Sequence, residues 1–176
     1  MAEKRQRIHL DASALICCIH AKVALKLQGK PEKDEVKYGN RLLYRLKEEK
    51  KNPEVSVVVS SEALGETLLK LLERYDKQDF IECTVALWDI FHDLELEYIP
   101  ARKEANEIAI EIAKRDNLMR FSDCQIAACA LSDSDSVALV TTDKTLIESK
   151  VLTEVDKELR EEGKRREKLN LTKYLD

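Results

Sequence analysis

The chain has 176 residues, with 30 Lys+Arg against 34 Asp+Glu for a formal charge of −4, and 44% hydrophobic residues. That length fits one domain with its own core, and four glycines and three prolines exclude a collagenous, low-complexity or turn-rich all-β chain. No apolar run approaches the ~20 residues of a bilayer span, and the opening MAEKRQRIHLDAS has no long apolar stretch, so no membrane anchor or secretory leader is expected and the chain reads as cytoplasmic.

In chain order, RIHLD at 7–11 reads as a short strand ending in an acid. Residues 12–28 follow with helical spacing, placing Leu15, Cys18, Ile19, Val23 and Leu27 on one broad face. Gln28-Gly29-Lys30-Pro31 breaks that helix, and a charged helix runs from Glu32 to about Lys51, stopped by Asn52-Pro53. Val55-Ser56-Val57-Val58-Val59 is the clearest strand, its β-branched run suiting cover on both faces. Ser60 and Ser61 cap a helix over 61–76, and another spans 78–92 with Trp88 expected as a core anchor. LELEYI at 94–99 alternates like an edge strand. A helix over 101–119 turns Ala101, Ala105, Ile108, Ala109 and Ile112 inward. Ser122-Asp123-Cys124-Gln125 looks like a capping box opening a helix to Leu131. The strand Ala138–Thr141, a short helix at 144–149, a long helix at 153–168 and a last strand or loose end at 169–175 complete the reading.

Five cysteines, an odd number without C-x-x-C spacing, read as buried reduced thiols, and three scattered histidines make zinc improbable. Charge is unevenly spread. Residues 1–51 hold 13 Lys+Arg against 7 Asp+Glu, whereas residues 52–176 hold 17 against 27. Such a basic lobe can be a solvated pair of helices or a grip for a polyanion. Lys22/Lys26 and Arg41/Arg45, each spaced i, i+4, form local basic ridges and are the candidate nucleic-acid contacts.

Strands separated by helices imply an α/β fold, a three-layer α/β/α sandwich around a mainly parallel sheet with right-handed crossovers. Functional groups in such folds gather beyond the carboxyl ends of the strands. Four acids stand at those places: Asp11 after the first strand, Glu66 in the helix after the second, Asp123 at the start of a small-residue helix, and Asp143 after ALVTT. Taken singly, each has an ordinary role as a helix cap or a solvent-facing acid. Asp11, Asp123 and Asp143 lie in the least polar parts of the chain, where crowded carboxylates repel unless a cation joins them. Oxygen ligands without His or Cys point to Mg²⁺ or Mn²⁺, and phosphodiester hydrolysis by a metal-activated water suits such a site. Ser13 and Thr141 can orient the carboxylates through hydroxyl hydrogen bonds.

These segments resemble the PIN domain family, which includes VapC-type toxins. HLDASALI resembles the family's first motif at Asp11 and Ser13. VVVSSEALGETL resembles the second, RFSDCQIAACAL the third and LVTTDKTL the fourth, which maps Glu66, Asp123, Thr141 and Asp143. The four occur in family order across residues 8–146. The resemblance implies a carboxylate pocket for Mg²⁺ or Mn²⁺, endonucleolytic cleavage of RNA leaving a 5′-phosphate and a 3′-hydroxyl, a homodimer and, for a toxin, an antitoxin partner. Single-stranded DNA remains a second substrate class. Glu62 shares a helical face with Glu66, and the family's spacing from Ser60 favours Glu66. The division expected is a nuclease domain over 1–150, carrying a charged helical insertion at about 28–54, with a charged helix and tail over 151–176. A non-catalytic scaffold in an RNA-processing assembly is the alternative. A phosphotransfer domain fits poorly, because Ser13 stands where a second Asp belongs and the strand at 55–59 runs into Ser60.

Overall fold

The computed structural model describes residues 5–174. The first four residues of the opening segment, and Leu175 at the end of the last expected strand, lie outside the described residues. Five strands form one sheet: β1 (Gln6–Leu10), β2 (Val55–Ser60), β3 (Glu97–Ile99), β4 (Ser136–Val140) and β5 (Asn170–Thr172). Their order is β3-β2-β1-β4-β5, and every neighbouring pair is parallel. The helices are α1 (Ala12–Val23), α2 (Lys33–Glu49), α3 (Ser61–Arg74), α4 (Lys77–Asp93), α5 (Lys103–Arg115), α6 (Phe121–Ser132), α7 (Lys144–Ile147) and α8 (Lys150–Glu161).

The sheet is buried because its strands are. All six residues of β2 are buried, as a β-branched run between two helical layers requires. Among the described residues no helix is long and apolar enough to cross a membrane. Packing groups α1 with α2, α3 and α4, and α5 with α6 and α8, and α3 also touches α6. The chain moves outward from β1 through β2 to β3, then returns to the other side of β1 at β4 and goes on to β5. The order therefore reverses between β1 and β4, and the crevice beyond their carboxyl ends is where such folds bind ligands.

Several elements depart from the sequence expectation. Trp88 is not a core anchor but is 58% exposed, tilted against Phe91 at 5.3 Å. The inward face of α4 is instead Cys83, Ala86, Leu87 and Ile90. Helix α6 starts at Phe121 with Arg120 as N-cap, so Ser122 lies inside the first turn and no capping box forms. The first helix stops at Val23 rather than continuing to 28, and β3 occupies only the last part of LELEYI, at the sheet edge. The last long helix is α8, and the segment after it returns as β5 beside β4. Arg165 fastens that return. It is buried, donates to Asp156 at 3.0 Å, and reaches the carbonyls of Ala130, Leu131, Asp133 and Ser136.

A second buried charge joins α6 to the sheet. Asp133 accepts from Arg7 and lies 3.0 Å from His9 Nε2. Burial opposes its ionisation, but the hydrogen bond and charge of His9, with Arg7, outweigh that and hold the carboxyl at about 2 instead of 3.8. Burial likewise pushes the His9 imidazole below its ordinary value, against the pull of Asp133. Both groups bind protons more readily unfolded, so both make the fold less stable as pH falls. The Asp133 part is complete above about pH 4 and is lost on the way down to about pH 2. Urea denaturation of the parent and Asp133→Asn between pH 7 and pH 2.5 should show the variant less stable at neutral pH and the gap closing in acid. A gap independent of pH would contradict the pairing.

Candidate active site

The site is built at the reversal between β1 and β4. The Asp11 N–H donates to the Val140 carbonyl at 2.9 Å, tying the two strand ends together. Asp11 then caps α1, its Oδ1 accepting the Ala12 N–H at 2.6 Å. Its Oδ2 accepts from Ser13 Oγ and Thr141 Oγ1, both at 2.7 Å. Each hydroxyl has one proton and spends it on Asp11, so the 3.2 Å between the two oxygens is a contact and not a further strong bond. The same hydroxyls accept backbone N–H groups, Thr142 onto Ser13 and Asp143 onto Thr141, each at 3.0 Å. Ser13 and Thr141 thereby lock the buried Asp11 carboxylate between two strand ends. Asp143 follows as the cap of α7, its Oδ1 accepting the Thr145 N–H at 2.8 Å.

Glu66 and Asp123 meet through Arg120. The Arg120 guanidinium takes both Asp123 oxygens, Nε to Oδ2 at 2.9 Å and Nη2 to Oδ1 at 3.0 Å. The same Nη2 donates to Glu66 Oε1 at 3.2 Å, and Lys70 Nζ lies 2.6 Å from that oxygen. Glu66 Oε2 is buried and has no hydrogen-bond partner among the described residues. Burial pushes the Asp123 carboxyl up; Arg120 pulls it down, while Glu66 and Asp11 push it further up. Arg120 in turn is held more firmly protonated by Asp123 first, then by Glu66 and Asp143. The four acids from sequence positions 11, 66, 123 and 143 thus share one electrostatic neighbourhood. Among the described residues no three His, Cys, Asp or Glu side chains close to metal-holding distances. The positive charge that the crowded acids require is supplied within the chain by Arg120.

Glu62 lines the same cleft as Glu66, but its Oε2 is engaged, accepting from Ser61 Oγ and from Cys129 Sγ. Two clefts flank the acids. One of about 650 Å³ runs past Ser13, Cys17, Tyr38, Lys70 and Thr142. The other, about 400 Å³, passes Glu66, Lys70 and Arg120 on the outer side of α3. Three of the four cations chosen from the sequence are tied to carboxylates. Lys22 reaches Asp93 at 2.6 Å, Lys26 lies 3.9 Å from Glu82, and Arg45 lies 3.2 Å from Glu49. Arg41 has no such partner among the described residues. Sequence reasoning passed over Arg120 and Lys70. Their signal was a basic residue spaced i, i+3 from Asp123 and i, i+4 from Glu66.

No family model matches the chain, and no curated protein matches it in sequence. Among solved structures it is similar to a chain of VapBC2 from Rickettsia felis, determined bound to a DNA fragment from their promoter. The match has a TM-score of 0.54 at 14% identity and covers 93% of this chain and 98% of that one. At that identity the likeness establishes a shared fold.

Proposed function

We propose that the chain is a PIN-type endoribonuclease that hydrolyses phosphodiester bonds with Mg²⁺ or Mn²⁺. What supports this reading is that Arg120 joins Glu66 to Asp123, that the charges of Asp11 and Asp143 act on this group, and that Glu66 Oε2 is buried and without a hydrogen-bond partner among the described residues. The donor set is all oxygen, which fits a hard divalent cation, and an unpaired buried carboxylate oxygen is an acceptor for one. Asp11, Glu66, Asp123 and Asp143 would hold the ion once Arg120 swings aside. When bound, it supplies charge neutralisation and activation of water toward phosphorus.

The chain's own residues do the rest. Ser13 and Thr141 keep Asp11 in one orientation, so its oxygens need not reorganise during reaction. Lys70 and a displaced Arg120 are cations placed to meet a phosphodiester. Arg120 is 59% exposed and sits on the edge of the outer cleft, so it can turn toward solvent. The products expected are a 5′-phosphate and a 3′-hydroxyl. The likeness to VapBC2 brings an antitoxin into the same proposal as a partner, and the resemblance to PIN domains adds a homodimer.

The test is calorimetric titration with Mn²⁺ joined to cleavage of a structured RNA, with end groups identified. Saturable Mn²⁺ binding and metal-dependent 5′-phosphate ends are expected. RNA binding with no cleavage at any Mn²⁺ concentration would favour the non-catalytic scaffold, a reading that Arg120's occupation of the acids supports. Arg120→Gln separates the two. If Arg120 competes with the ion, the variant should bind Mn²⁺ about tenfold tighter while melting lower in chelator, because Asp123 and Glu66 lose their counter-charge. Unchanged Mn²⁺ affinity would mean that Arg120 does not stand in the ion's place.

A further inference from the structure

We infer that the outer face of α2 is a track for single-stranded nucleic acid, with Lys30, Lys33, Lys37 and Arg41 holding the backbone and Tyr44 stacking a base. The choice of nucleic acid as the occupant rests on the nuclease reading above. Lys33, Lys37 and Arg41 recur at i, i+4 and i+8, and Tyr44 continues the row. Lys33 to Tyr44 spans about 16 Å of helix. Lys33, Lys37, Arg41 and Tyr44 are exposed, Tyr44 by 69%.

What distinguishes this row is missing compensation. Elsewhere in the same half of the chain, Lys22, Lys26, Arg45, Lys47, Lys50 and Lys51 each lie within 4.0 Å of a carboxylate. Among the described residues, Lys33, Lys37 and Arg41 have no such neighbour. Lys30 spends hydrogen bonds on the Ala24 and Leu25 carbonyls, which leaves its charge standing. Of the acids beside the row, Glu35 is turned to Arg74 and His20, and exposed Asp34 makes no ion pair with it among the described residues. A row of unneutralised cations on a chain of net charge −4 is a local polyanion site and not average surface.

The surface under the row has the shape for bases. A trough of about 670 Å³ passes Leu25, Pro31, Val36 and Lys37, and a second of about 400 Å³ passes Tyr44 and Arg45. Both include Asn40 and Arg41, so they are continuous. Leu25 is 96% exposed in the first. A basic rim over an apolar floor with an exposed aromatic suits a strand whose base faces are free, which a duplex conceals. Position agrees. Asp34, Glu35 and Tyr38 of the same helix line the cleft that reaches Ser13 and Thr142, so a strand crossing that cleft from the carboxylates arrives at α2.

The test is fluorescence anisotropy of the full chain with a labelled twelve-nucleotide single-stranded RNA in EDTA, at several salt concentrations. Three to four backbone contacts predict a slope of about −2 to −3 for log K against log salt. Lys33→Glu/Lys37→Glu/Arg41→Glu should abolish most of that slope and weaken binding by more than tenfold. The corresponding Gln variant should fall between it and the parent, a graded order that misfolding does not produce. Tyr44→Ala should weaken binding about tenfold with the slope unchanged. Parent-like binding by the charge-reversed variant, or tighter binding of a duplex of equal length, overturns the track. If the parent cleaves RNA with Mn²⁺ while the reversed variant binds normally, the track fails and the nuclease stands. If the parent binds the strand through α2 and never cleaves it, the nuclease fails and the track stands.

Discussion

Asp123→Asn should reduce Mn²⁺-dependent cleavage by on the order of 10³-fold or more, about 4 kcal/mol of transition-state stabilisation. The amide keeps the size of the side chain and one acceptor oxygen, but it loses the charge that would hold a divalent ion. The fold should survive, because Asp123 lies in the first turn of α6 and that helix is fixed by Ile126, Ala127, Ala128, Ala130 and Leu131 in the core. In chelator the variant should melt somewhat higher than the parent. Burial together with the charges of Glu66 and Asp11 costs the Asp123 carboxylate more than Arg120 returns, since its carboxyl is pushed up in spite of a two-point arginine contact. An amide escapes that cost. The Mn²⁺-induced rise in melting temperature should shrink with the same substitution. Equal cleavage by parent and variant preparations would place the activity outside this site.

What the sequence disclosed depended on how local the cause was. The run Val55–Ser60 reads as a buried strand from its own residues, because β-branched side chains on both faces need cover on both faces. The acids at 11, 66, 123 and 143 could be picked out because strand ends and helix starts carry local signals. Trp88 was misplaced because α4 has two apolar stripes, and size drew attention to Val85, Trp88 and Phe91. The smaller set Cys83, Ala86, Leu87 and Ile90 is the one that packs inward. Lys22 and Lys26 looked available because their neutralising partners, Asp93 and Glu82, are more than fifty residues away on α4. Arg120 is the same problem inverted. Its partner Asp123 is local, but its bridge to Glu66 exists only when α3 and α6 come together. Non-local pairing of charges is what one sequence does not display, and here it decides which cations are free and which acids are already occupied.

Gly39→Ala should destabilise the protein by about 3 kcal/mol, a fall of roughly 6–12 °C in melting temperature. Gly39 is buried where α2 crosses α1. A Cβ built there would lie 1.9 Å from the Cys17 carbonyl oxygen and 2.5 Å from its carbon, with the Ala21 Cβ at 3.0 Å. The two nearest atoms are backbone, so no rotamer change relieves the clash and the helices must separate. Separation loosens Leu42, Leu43 and Leu46, the core residues of α2, and outweighs the ~1 kcal/mol that alanine gains over glycine in a helix. Gly65→Ala is the matched control. It is also helical, but nothing lies within 4 Å of the added Cβ, so it should stabilise by about 1 kcal/mol. Equal effects at the two positions would mean that α1 and α2 do not approach so closely. The consequence reaches function, because Cys17 also lines the cleft that includes Ser13, and α2 carries both Tyr38 in that cleft and the row Lys33, Lys37 and Arg41 outside it. A helix displaced from α1 at Gly39 shifts that row relative to the carboxylates, so Gly39→Ala should weaken binding of the twelve-nucleotide RNA as well.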